Sequence, residues 1–222
     1  MPFPKPNPSL AFRKPRMRVM NYFEFFDLPR KLTLDVVALE KQFYTMSRRL
    51  HPDRFASKPV AEQEAALAQS SLLNDAYRTL KDPILRTQYL LKLEGVELEE
   101  QSKAATEAAR ASGEQKKQIV PPELLEEVFE LNMQLQEMRA ANKMGEEEPE
   151  LRRDLLTAKD AFDAKMVETQ AELDGLWAAW DLGVDIGDEA AKARAKEAMV
   201  TLLNKRSYLR NLVRDVNEAL GL

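Results

Sequence analysis

Apolar residues first settle into a helical rhythm at Val36, Leu39, Phe43, Met46 and Leu50, spaced alternately by three and four. That is the period of one buried face of an amphipathic helix. A short segment, YFEFFDL, precedes it, Thr33 is placed to cap its start, and Pro52 stops it. A second helix is predicted from about Pro59 to Leu80, with Ala65, Ala68, Leu72, Ala76 and Leu80 turned inward. It ends before Asp82-Pro83, and ILRTQYLLKL then forms a short helix closed by Gly95. The pattern is an antiparallel helix pair joined by HPDRFASKP, with short helices before and after.

Residues 96–120 lack a steady apolar face and read as a linker with helical pieces. Pro121-Pro122 opens the next helix, since proline is tolerated in a first turn whose N–H groups need no helical partner. That helix reaches about Asn142, NKMGEEEPE turns the chain, and another helix runs from about Leu151 to Trp180. After a turn through LGVDIGD, the final helix places Met199, Leu202, Arg206, Leu209, Val213, Val216 and Leu220 at spacings of three and four. Three long helices with turns between them imply an antiparallel three-helix bundle. The fold class is therefore all-α, with a helical unit at 21–95, a linker at 96–120 and a bundle at 121–222.

Composition agrees and narrows the chemistry. The chain is 44% apolar and 32% charged with only 7 glycines, a balance that favours helices. No apolar run is long enough to cross a bilayer as a helix. With no cysteine there is no disulfide, no thiolate and no sulfur-ligated zinc site. Residues 1–20 hold five basic and no acidic residues, 21–93 hold 11 and 9, and 94–222 hold 17 and 28. The acidic second half argues against nucleic acid as its partner, because phosphate binding needs positive potential. Residues 1–19, with five prolines and no period, read as a disordered basic tail that suits neither a secretory signal nor an amphipathic presequence, and Met20 offers a second start.

The single histidine, His51, sits in MSRRLHPDRFAS. No cysteine or serine elbow accompanies it, so it has no nucleophile to activate. One imidazole beside Asp53 is also a poor metal site, and no metal or cofactor is expected. Two readings remain from the residues: His51-Pro52-Asp53 is a plain helix stop and turn, or it is a surface read by another protein. Lys41, Arg48, Arg49, Arg54 and Lys58 surround it with positive charge.

In context the segment resembles the J-domain. HPDRF follows YFEFFDLP and a helix with basic residues on its polar side, and precedes NDAYRTLKDP, so four features fall in the J-domain order over about residues 21–82. The resemblance implies that His51, Pro52 and Asp53, with Lys41, Arg48, Arg49 and Arg54, engage a DnaK-class ATPase chaperone, on which all the chemistry stays. NYFEFFDLP, RTQYLLKLEGVEL and PPELLEEVFELNMQLQEM are similar to the HscB family of iron–sulfur co-chaperones, and extend the likeness over most of residues 20–222. It implies a non-enzymatic co-chaperone that presents an IscU-type assembly scaffold to a DnaK/HscA-class partner. The absence of an N-terminal cysteine module points to a bacterial-type, cytoplasmic member rather than a mitochondrial one.

The client helix also carries a signal of its own. Leu124, Val128, Leu131, Leu135 and Met138 form a core stripe, while Leu125, Phe129 and Met133 form a second stripe bordered by Glu126, Glu130 and Glu137. Such a strip is either a docking surface or a contact with the second neighbour in the bundle. In the last helix Tyr208 and Leu212 lie off the main seam. By position, Leu125, Phe129, Glu130, Glu137 and Tyr208 match the scaffold-facing pattern of the family, and Met133 joins the strip. Glu126 replaces an apolar residue of that pattern, and Met133 replaces an acid. The exchanges either preserve the patch with its charge rearranged or mark a J-protein for another client, and a helical adaptor whose HPD is incidental is a separate alternative.

Overall fold

The computed structural model describes residues 20–96, 98 and 120–222. The predicted basic tail at 1–19 and nearly all of the predicted linker lie outside these. The described residues form seven α-helices and no strand: α1 (Tyr22–Phe25), α2 (Val36–Leu50), α3 (Val60–Lys81), α4 (Pro83–Leu93), α5 (Leu125–Met144), α6 (Pro149–Ile186) and α7 (Glu189–Leu220). The protein is all-α.

Local chemistry sets most boundaries. Asn21 and Glu24 form a reciprocal capping box that holds the single-turn α1. Asp35, and not Thr33, caps α2, its Oδ1 accepting the Ala38 N–H at 2.9 Å. Thr33 lies two residues before this cap, and its backbone N–H donates to Asp181 of α6. Asp82 caps α4, accepting from Ile84 and Leu85, with Pro83 in the first turn.

α2 and α3 pair as a hairpin around a first core that holds Phe23, Phe26, Leu32, Leu39, Leu73, Ala76, Leu80, Leu90 and Leu91. The inward face of α3 differs from the one predicted. Ala66, Leu73, Ala76 and Leu80 are buried, whereas Ala65 and Ala68 are exposed and Leu72 is half-buried. The run AALAQSSLLNDAY supports two adjacent registers, and the ring of Tyr77 stacked 4.1 Å from Phe43 accompanies the one adopted.

α5, α6 and α7 form the antiparallel bundle around a second core that includes Leu124, Val128, Leu131, Leu135, Leu155, Phe162, Leu209 and Val216. α6 is longer than expected, because Leu182-Gly183 stays helical and the turn is confined to Gly187-Asp188. Gly183 permits this: a Cβ there would lie 2.9 Å from the Lys192 side chain and 3.3 Å from the Asp188 carbonyl oxygen. At 1.5 Å per residue, the 38 residues of α6 run about 57 Å against about 30 Å for the 20 residues of α5. The α6–α7 hairpin therefore outruns the bundle, and its far end enters the first core through Leu173, Trp180, Ala195, Met199 and Leu203.

Polar tethers join this far end to the loop before α2. Asp181 is buried and accepts the backbone N–H groups of Leu32 at 2.7 Å and Thr33 at 2.8 Å. The Trp180 indole N–H donates to the Arg30 carbonyl at 3.1 Å, and Lys31 pairs with Asp185 at 2.6 Å. A carboxylate taken from water needs such partners, and two charge-assisted bonds to backbone N–H supply them.

Candidate interaction surfaces

The loop between α2 and α3 bends because α2 runs into Pro52. His51 leaves the helix in an extended conformation (φ −61°, ψ 127°), and Pro52 opens a 3₁₀ turn over Pro52–Phe55. His51 Nδ1 lies 3.3 Å from the Asp53 N–H and 3.5 Å from Asp53 Oδ2. It can accept from the first or, when protonated, pair with the second. Arg54 Nη1 donates to the Arg48 carbonyl, and the Gln63 amide donates to the carbonyls of Ala56 and Lys58, so both flanking helices hold the loop.

The Asp53 side chain is 88% exposed, which leaves its carboxylate open to an incoming donor. Lys41, Arg48, Arg49 and Arg54 are also exposed, and none makes an ion pair among the described residues. Val37 and Tyr44, which the core periodicity passes over, are exposed on the α2 face that bears Lys41 and Arg48, at spacings of four, three and four. Their signal is an apolar position out of phase with Leu39 and Phe43. Among the described residues, no carboxylate other than Asp53 pairs with His51, and there is no cluster of three or more potential metal ligands.

The second surface lies on α5. Its core stripe is buried, while Leu125, Phe129 and Met133 are 55%, 69% and 60% exposed. The apolar strip thus faces solvent, with Glu126, Glu130 and Glu137 exposed around it. Glu127 and Glu123, in contrast, pair with Lys165 at 3.0 Å and Lys205 at 3.7 Å. Tyr208 and Leu212 are a correction, because both are buried in the second core and do not stand off its seam. α7 contacts both α5 and α6, so its buried arc is wider than a single stripe. Burial, with the charge of Asp215 added, raises the Tyr208 phenol above its ordinary pKa.

Among the described residues, no helix is long and apolar enough to cross a membrane. No protein-family model matches the chain. Two curated relatives from Vibrio cholerae serotype O1 strains, each named Co-chaperone protein HscB homolog, are 47% identical over 79 residues, which is 36% of this chain. That alignment spans 46%, or about half, of the relatives' own length. The crystal structure of human co-chaperone protein HscB matches over 92% of this chain and 85% of its own, at 24% identity and a TM-score of 0.58, and shows the same fold. Chaperone HscB from Vibrio cholerae aligns over 86% of this chain and 96% of its own, at 27% identity and a TM-score of 0.49. Over those 79 residues the chain is similar in sequence to proteins named HscB co-chaperone homologs, and over most of its length it shares the all-α fold of the human structure.

Proposed function

We propose that the protein is a non-enzymatic co-chaperone of iron–sulfur cluster assembly, with two working units at 21–95 and 121–222. The loop at His51, Pro52 and Asp53, with Lys41, Arg48, Arg49 and Arg54, binds a DnaK/HscA-class ATPase. The strip Leu125–Phe129–Met133, with Glu130 and Glu137, holds an IscU-type scaffold while Tyr208 backs α5 from the core. Names of relatives and the fold support the co-chaperone role, and the bacterial relatives support a cytoplasmic setting. The observation that carries the reading is the tethered bend that leaves the Asp53 carboxylate exposed beside an unpaired basic face.

Pro52 fixes the bend, Asp53 offers a carboxylate to an arginine of the ATPase, and the basic face meets an acidic surface there. Binding favours the partner conformation that hydrolyses ATP, and the size of that preference sets the stimulation. Asp53→Asn removes the charge and keeps the shape. It should lower stimulation of single-turnover ATP hydrolysis by at least about tenfold, equivalent to about 1.4 kcal/mol. An Asp53→Asn chain that stimulates like the parent would overturn the assignment.

A further inference from the structure

The basic segment at 1–19 has no part in the proposed function, and one surface of the bundle suits it. Between α5 and α6 lies a groove of about 370 Å³ with Leu131, Ala158 and Phe162 in its floor and Glu127, Glu130 and Asp154 on its rim. Lys165 already seats an ammonium there, 3.0 Å from Glu127. Glu130 and Asp154 make no ion pair among the described residues. Across 121–165 the chain has 12 acidic against 6 basic residues. Residues 1–19 offer the complement, five cations and no anion interleaved with Phe3, Leu10 and Phe12.

Reach permits the contact. Nineteen residues extend to roughly 65 Å at about 3.4 Å each. Along α6, Leu173 of the first core and Ala161 of the groove are 12 residues apart, about 18 Å. We propose that residues 1–19 of the same chain occupy the α5–α6 groove, their cations on its carboxylate rim and their apolar side chains on its floor. Tethering makes the effective concentration high enough for a weak contact to be populated, and its electrostatic part is screened by salt. Glu130 also borders the strip on α5, so a seated tail masks part of the charge presented beside it.

Because the chain has no cysteine, Ser9→Cys gives it a single site for a nitroxide label. The expected result, at about 50 mM salt, is at least a twofold loss of amide signal at Ala158 and Ala161 with none at Glu189. The loss should disappear in Glu130→Gln/Asp154→Asn, whose unchanged melting midpoint would show an intact fold. Full-intensity groove signals would overturn the proposal, as would a loss that persists in the double variant. A mixture of spin-labelled and isotope-labelled chains covers the remaining case: broadening confined to the mixture places a second copy's tail in the groove and overturns it too.

Discussion

The loop at 51–55 and the outer face of α5 are both exposed, yet they are held in opposite ways. The loop owes its shape to one proline and side chains that reach flanking carbonyls, and it displays charge. The α5 strip needs no tether, because Leu124, Val128, Leu131 and Leu135 anchor the same helix in the second core and leave Leu125, Phe129 and Met133 outward. Charge on a rigid bend favours fast, orientation-dependent encounter, whereas apolar area favours a long-lived complex. The difference is what the proposed function requires, in which the loop touches an ATPase briefly and the strip keeps hold of a client.

Asp181 offers the strongest way to break this arrangement, since it joins the loop before α2 to the far end of α6. Asp181→Ala strands the N–H groups of Leu32 and Thr33 in a buried setting. The expected loss is about 3 kcal/mol of unfolding free energy, read by urea denaturation. A change below about 0.5 kcal/mol would mean that the apolar contacts alone hold the two regions together.

Salt should separate the two surfaces less drastically. Raising ionic strength from about 50 to 300 mM should weaken ATPase stimulation several-fold and scaffold binding much less, because the first rests on exposed charge and the second chiefly on the apolar strip. Equal losses in both assays would erase the contrast.

The smallest effect concerns Tyr89 and Tyr208, both raised in pKa, chiefly by burial. Each phenol ionises later in the folded chain than in the unfolded one, so its contribution is complete below about pH 10 and is lost as pH rises through the folded value. Tyr208→Phe should make the stability loss above about pH 10 shallower than in the parent. An identical slope would show that Tyr208 ionises as freely in the fold as outside it.

Legibility in the sequence followed the strength of each local signal. The α2 face was plain, because large residues recur at its period and Pro52 stops it. The α3 face was not, since Ala65, Ala66, Ala68, Leu72 and Leu73 satisfy two registers, and side-chain packing across the hairpin decides between them. Asp181 and Trp180 were invisible as tethers, because their partners are backbone groups about 150 residues away. The same holds for Tyr208, whose burial depends on α7 having two neighbours rather than one. The exposed strip on α5 was legible as a pattern, but only the three-dimensional packing shows that no other described helix covers it.

The proposed function keeps client and chaperone surfaces separate. Its most direct test is a calorimetric titration of the intact chain with an IscU-type scaffold, run beside Phe129→Ala and Asp53→Asn. Binding should be saturable and one-to-one, weakened about 30-fold in Phe129→Ala, as befits an apolar anchor worth about 2 kcal/mol, and unchanged in Asp53→Asn. Absence of binding by the folded parent, or equal weakening in both variants, would contradict it.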